Sequence, residues 1–193
     1  MTLDRPAEAS EELARARELE PSSRSILADQ GLALFYAGKR AQAIEQLQQI
    51  EAAQPSFRSA HLYLAYIYFN SQEVQNYLME ARQAAESSHD PVELEIVKEA
   101  KQGFASGGRP GMLQGLLNAQ KRFNGEGRYP AFQVAETNAL MGNKDQALKY
   151  LQSSYDKREV NAAAVSVAPA FSDLRGEPRY RRLMAELGQD VPK

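Results

Sequence analysis

The sequence predicts an all-α protein, a right-handed helical-repeat solenoid of helix-turn-helix pairs closed by a C-terminal capping helix. Three observations carry this. Small and apolar residues recur at helical spacing along most of the 193 residues. A seam of Ala9, Leu13, Ala16 and Pro21 returns 34 residues later as Ala43, Leu47, Ile50 and Pro55, the period of a two-helix repeat unit. Finally, "PAFSDLRGEPRYRRLMAELG" (169–188) departs from the repeat and carries its own apolar stripe, as the end of a stack requires.

The elements follow in order. Residues 8–20 supply the second helix of a repeat without its partner. "SILADQGLALFYAGKR" (25–40) sets Leu27, Gly31 and Leu34 at helical spacing and turns at Gly38. In the next helix Ala43 permits close approach, Leu47 and Ile50 fill the seam, and Pro55 ends the unit. The third unit runs 36 residues from Pro55 to Pro91, with Leu64, Ala65 and Tyr68 in its first helix and Tyr77, Ala81 and Ala84 in its second. "LYLAYIYF" (62–69) also suits a β-strand, but its Ala, Gln and Glu surroundings and the length of the run favour a helix with neighbours on both sides. Residues 91–129 keep Val97, Ala100, Phe104, Leu113 and Leu117 around an enlarged central turn, "SGGRPG", before the linker "NGEGRYP". The pattern returns at Val134, Ala135, Gly142, Ala147 and Leu151. There Asn138 replaces a large apolar residue, so its amide is expected to find a partner or a water. Phe171, Leu174, Tyr180, Leu183, Met184 and Leu187 then form the covering stripe, with Pro178 in a first turn and Gly188 at the exit.

The 34-residue echo and "LMGNKDQALKYL" resemble tetratricopeptide-repeat proteins over roughly 150 residues. The C-terminal P-x-F-x-x-L-R-x-x-P-R-[FY]-x-x-L pattern resembles the ends of bacterial tetratricopeptide regions that follow winged-helix transcriptional regulators or serine/threonine kinase domains. The resemblance implies a structural capping role for Phe171, Leu174, Arg175, Tyr180 and Leu183. It divides the chain into a truncated half-repeat (1–21), an array of repeats (22–55, 56–90, 91–129 and 130–158) and a capping segment (159–193). About ten or eleven helices are expected. The half-repeat suggests a piece of a longer chain. If that chain is a winged-helix regulator, this is the sensing or assembly half.

Bulk properties narrow the function. The net charge of −2, from 23 basic and 25 acidic residues, offers no field for nucleic acid or anionic membrane. No cysteine is present, which removes disulfides, thiolate metal sites and cysteine nucleophiles. The N-terminus lacks the apolar core of a signal peptide, and the longest apolar run is too short to span a bilayer. A cytoplasmic location is expected, the compartment of a longer parent being open.

No residue pattern spells out a reaction. His61 and His89 lie 28 apart, not at the spacing of a metal pair on one helix, and His61 reads as a packing or surface residue. "SGGRPG" lacks the Lys-Ser/Thr of a phosphate loop. Arg175, Arg179, Arg181 and Arg182 are interleaved with Asp173, Glu177 and Glu186, so intramolecular pairs or a solvated face are expected. Asp156 and Glu159 read as helix-surface charge, and no serine stands in a nucleophile setting. No catalytic residue, cofactor or metal is therefore assigned.

The candidate is a surface. By the resemblance, first helices line a concave groove. Ala28, Leu32, Phe35 and Tyr36 come from one repeat, Leu62, Tyr66, Phe69 and Asn70 from the next, then Glu95, Lys98 and Gln102. Ala28 and Leu32 stand where a carboxylate-clamping groove needs Lys and Asn, which argues against acidic chaperone tails as ligands. The expected function is a non-enzymatic interaction or regulatory module binding a peptide or helical segment at Leu32, Phe35, Tyr36, Leu62, Tyr66, Phe69 and Asn70. The alternative is homo-oligomerisation through the N-terminal half-repeat. A protein or peptide partner is expected, with no direct nucleic-acid contact and no membrane segment.

Overall fold

A short turn of one design closes three helix pairs. Lys39 N–H donates to Leu34 O and Gly38 N–H to Phe35 O, each at 2.9 Å; Asn143 to Asn138 O and Gly142 to Ala139 O repeat these distances. Glu73 to Tyr68 O (2.9 Å) and Gln72 to Phe69 O (3.3 Å) form the third copy. This paired bonding satisfies the last carbonyls of a helix and needs a left-handed residue just past its end. Gly38 and Gly142 supply it at φ 77°, whereas the third turn forces Gln72 to φ 62°.

The computed structural model describes residues 15–16, 18–20, 22–159, 161 and 164–188. Most of the predicted N-terminal half-repeat, including Ala9, Leu13 and Pro21, lies outside these residues. The helices are α1 (Arg24–Tyr36), α2 (Arg40–Ala53), α3 (Arg58–Asn70), α4 (Val74–Ser88), α5 (Pro91–Gly125), α6 (Ala131–Leu140), α7 (Lys144–Asp156) and α8 (Pro178–Glu186), with a 3-10 turn at Pro169–Leu174 before α8. The chain is all-α, built from helices packed in sequential pairs. It divides into two units, 1–94 and 95–193, with the boundary inside α5.

In the first unit α1 packs on α2, α2 on α3 and α3 on α4, and α1 also meets α3. The predicted seam residues Ala43, Leu47, Ile50 and Leu64 are buried together with Ala60, Ile67 and Tyr68. Gly31 is buried on Leu47: a Cβ there would stand 2.9 Å from Leu47 Cγ. A larger residue at 31 would push α1 off α2. Tyr63 O–H donates to Asp29 Oδ1 at 2.7 Å and ties α3 to α1.

The second unit corrects the enlarged turn. Helical structure runs through Ser106 and resumes at once; inside α5 only Gly107 and Gly108 leave helical geometry, Gly108 at φ 59°. Around that break α5 doubles back on itself. Cβ atoms at Gly103, Gly111 and Gly115 would strike the backbone carbonyls of Gly111, Gly103 and Glu99 respectively. Arg122 bridges Glu99 at 2.7 Å across the same hairpin. The glycines therefore permit backbone-to-backbone packing that any side chain would forbid. The buried register also differs: Val92, Ile96 and Ala100 are buried, and Val97 is only half-buried.

Beyond the predicted linker, α6 packs on α7, and Val134, Ala135, Ala147 and Leu151 are buried as expected. The 3-10 turn lies against α6, and α8 against α7. Counting the halves of α5 separately gives nine α-helical segments among the described residues from Arg24 onward. None is long and apolar enough to cross a membrane.

Candidate functional site

Three rings interlock where α1 meets α3. Phe35 lies 6.0 Å from Tyr66 at 87°, Tyr36 lies 6.1 Å from Tyr66, and Phe35 lies 5.9 Å from Tyr36. Edge-on contacts at these distances are favourable. A second ring pair, Phe69 on Tyr77 at 4.9 Å, sits where α3 meets α4. Leu32, Phe35, Tyr36, Tyr66, Phe69 and Asn70 are all half-buried, and Leu62 is 40% exposed. Asn70 Nδ2 donates to Tyr66 O at 2.9 Å, while its buried Oδ1 has no hydrogen-bond partner among the described residues. Ala28, expected on this face, is fully buried instead. It faces the α1–α2 core because it falls one turn before Gly31 on the seam side. Of the acidic and basic residues expected to extend the face, Glu95 and Lys98 pair with each other at 3.0 Å.

A second constellation was not foreseen. His61 and Glu80 are 2% and 3% exposed, and His61 Nδ1 lies 2.8 Å from Glu80 Oε2. Nε2 of the same ring lies 2.7 Å from Pro55 O. A carbonyl only accepts, so Nε2 carries a proton, and a further proton lies between Nδ1 and Glu80. Glu51, one-third exposed, brings Oε1 to 3.9 Å from Nδ1. Burial pulls the His61 pKa down, but the hydrogen bonds to Pro55 and Glu80, with the charges of Glu80 and Glu51, outweigh it, and the net shift is upward. Burial raises the Glu80 carboxyl, opposed by His61 and reinforced by Glu51. Both groups hold their protons more tightly than in water. The sequence did carry a hint: Tyr77, Glu80 and Ala84 share one helical face, which places a carboxylate on the seam.

The described C-terminal residues take part in packing and pairing. Phe171, Leu174, Tyr180, Leu183 and Met184 are buried, and Phe171 meets Phe132 edge-on at 5.6 Å. Tyr180 O–H donates to Val165 O at 3.0 Å, and burial pushes its pKa up to about 12. Arg175 is half-buried, and its backbone carbonyl accepts from Arg181 Nε at 3.2 Å. Arg179 pairs with Asp145 at 3.2 Å rather than with the interleaved acids, and Glu177 takes Lys144 at 2.9 Å. Glu159 is no idle surface charge. Its carboxylate accepts from the N–H groups of Ala131 (2.8 Å) and Phe132 (3.0 Å), capping α6, whose Pro130 cannot do so. Asn138 Nδ2 finds Val134 O at 2.7 Å, one helical turn back.

Comparison with family models, with curated proteins and with solved structures returned no match.

Proposed function

We propose that the chain is a tetratricopeptide-like, non-enzymatic interaction module that takes an apolar peptide or helical segment of a partner protein on the α1–α3 face. The observation that carries this reading is Leu62, 40% exposed beside the interlocked rings of Phe35, Tyr36 and Tyr66. Rings already held by one another lose little freedom on binding, and aromatic anchors with an aliphatic neighbour suit a contact centre. Homo-oligomerisation is the second reading, favoured by Leu19, which is 84% exposed near the N-terminus.

The test is a crosslinked pull-down from the source organism with wild type and Leu62→Glu, circular dichroism confirming that both fold alike. The captured partner's segment, titrated as a peptide, should bind the variant at least about tenfold more weakly, as for loss of an interface anchor. Equal capture by both proteins sinks the reading. Recovery of the chain itself, with a dimer that Leu19→Lys dissolves in light scattering, moves the function to self-association.

A further inference from the structure

We infer that Glu51, His61 and Glu80 form a binding site for one first-row divalent transition-metal ion, of which Zn2+ is the natural probe. The three side chains come from α2, α3 and α4, and one ligand atom from each lies within 4.8 Å of the other two. His61 Nδ1 is 2.8 Å from Glu80 Oε2 and 3.9 Å from Glu51 Oε1. Bonds of about 2.0–2.2 Å place neighbouring ligand atoms roughly 3–3.5 Å apart, so side-chain movements of about an ångström suffice to seat an ion.

The imidazole is already oriented for this. Nε2 is committed to Pro55 O at 2.7 Å, leaving Nδ1 as the only ring nitrogen that faces the carboxylates. A second ring N–H donated to a backbone carbonyl is the support that metal-binding histidines ordinarily have. An imidazole with two carboxylates suits Zn2+, Mn2+, Fe2+ or Co2+ better than Ca2+ or Mg2+, which prefer all-oxygen sites.

Charge points the same way. Among the described residues no lysine or arginine pairs with Glu51 or Glu80; nearby Arg40 is taken by Glu73 and by Ser71 Oγ. Two carboxylates and a protonated imidazole leave one uncompensated negative charge. A divalent ion displaces the proton between Nδ1 and Glu80 and brings the group to neutrality, which low-dielectric surroundings favour. Glu51 is one-third exposed, so ions enter, and water completes the coordination, on its side.

The experiment is calorimetric titration of the chelator-stripped full chain with Zn2+. Wild type should bind one equivalent. Glu51→Gln leaves the His61–Glu80 contact intact and should still fold, yet bind at least about tenfold more weakly. His61→Gln should abolish binding, and His89→Gln, altering the only other histidine, should leave it unchanged. Absence of stoichiometric binding overturns the site, as does equal binding by wild type and Glu51→Gln, or loss of binding in His89→Gln.

Discussion

The first two helix pairs are built on one template with different chemistry at its centre. Where α1–α2 has Leu27 and Gln46, α3–α4 has His61 and Glu80, each 34 residues on. In the first pair Gln46 Nε2 reaches back to the Leu27 carbonyl, and both residues are half-buried. In the second, Glu80 meets the His61 ring with both side chains almost wholly buried. The first pair also sets Gly31 against Leu47, where the second has Ala65 and Ala81. The backbone thus tolerates exchanged side chains, but burial sets what each must satisfy. A half-buried amide needs one carbonyl, whereas a fully buried carboxylate needs a matched proton donor.

Breaking the second pair should have the largest effect. His61→Leu in metal-free protein leaves Glu80 buried without its partner and should cost about 3–5 kcal/mol in urea unfolding. The double variant His61→Leu/Glu80→Gln copies the first pair and should recover most of that loss; a double variant no better than the single one would break the template comparison. The pH dependence sharpens it. Both pKa values are raised in the folded protein, so the fold binds these protons more tightly than the unfolded chain. The stabilisation is complete below the unfolded values and is lost as pH rises through the folded ones. In chelator, the advantage of wild type over the double variant should therefore shrink as pH rises above 4.5, the ordinary value for Glu80, and go on shrinking above 6.5, the ordinary value for His61.

The Gly31–Leu47 contact ranks next. Gly31→Ala should cost about 1–3 kcal/mol, because the new methyl displaces a fully buried leucine. In a Leu47→Ala background, which copies Ala65 and Ala81, the same change should cost almost nothing. A cost that persists there would mean that the clash lies elsewhere. The smallest effect belongs to the turns. Gln72→Gly should raise stability by about 0.5–1 kcal/mol by removing a left-handed side chain, and Gly38→Ala should lower it by a similar amount. Thermal unfolding reads both, and opposite signs are required.

Much of the helical skeleton was legible. Ala43, Leu47 and Ile50, then Ala147 and Leu151, announced their buried faces by spacing, and Gly38 and Gly142 marked turns that the fold uses. Glu80 stood on a readable seam, but helical spacing relates only residues of one helix, and Glu51, His61 and Glu80 come from three. The glycines at 103, 111 and 115 were visible as well. Their spacing became a packing surface only once the chain reversed at Gly107 and Gly108. Glu159 resembled surface charge because its targets, the N–H groups of Ala131 and Phe132, lie on another helix.

Outside α5 the sequence alone marked where most helices form and stop and, Ala28 apart, which face each buries, because helical periodicity and turn geometry depend on residues only a few positions apart. Only the tertiary structure decided which buried polar groups meet: His61 with Glu80 and Glu51, Glu159 with the start of α6, Tyr63 with Asp29. Those partners are chosen by how helices pack, and a side chain's requirement for a donor or acceptor does not say which helix will supply it.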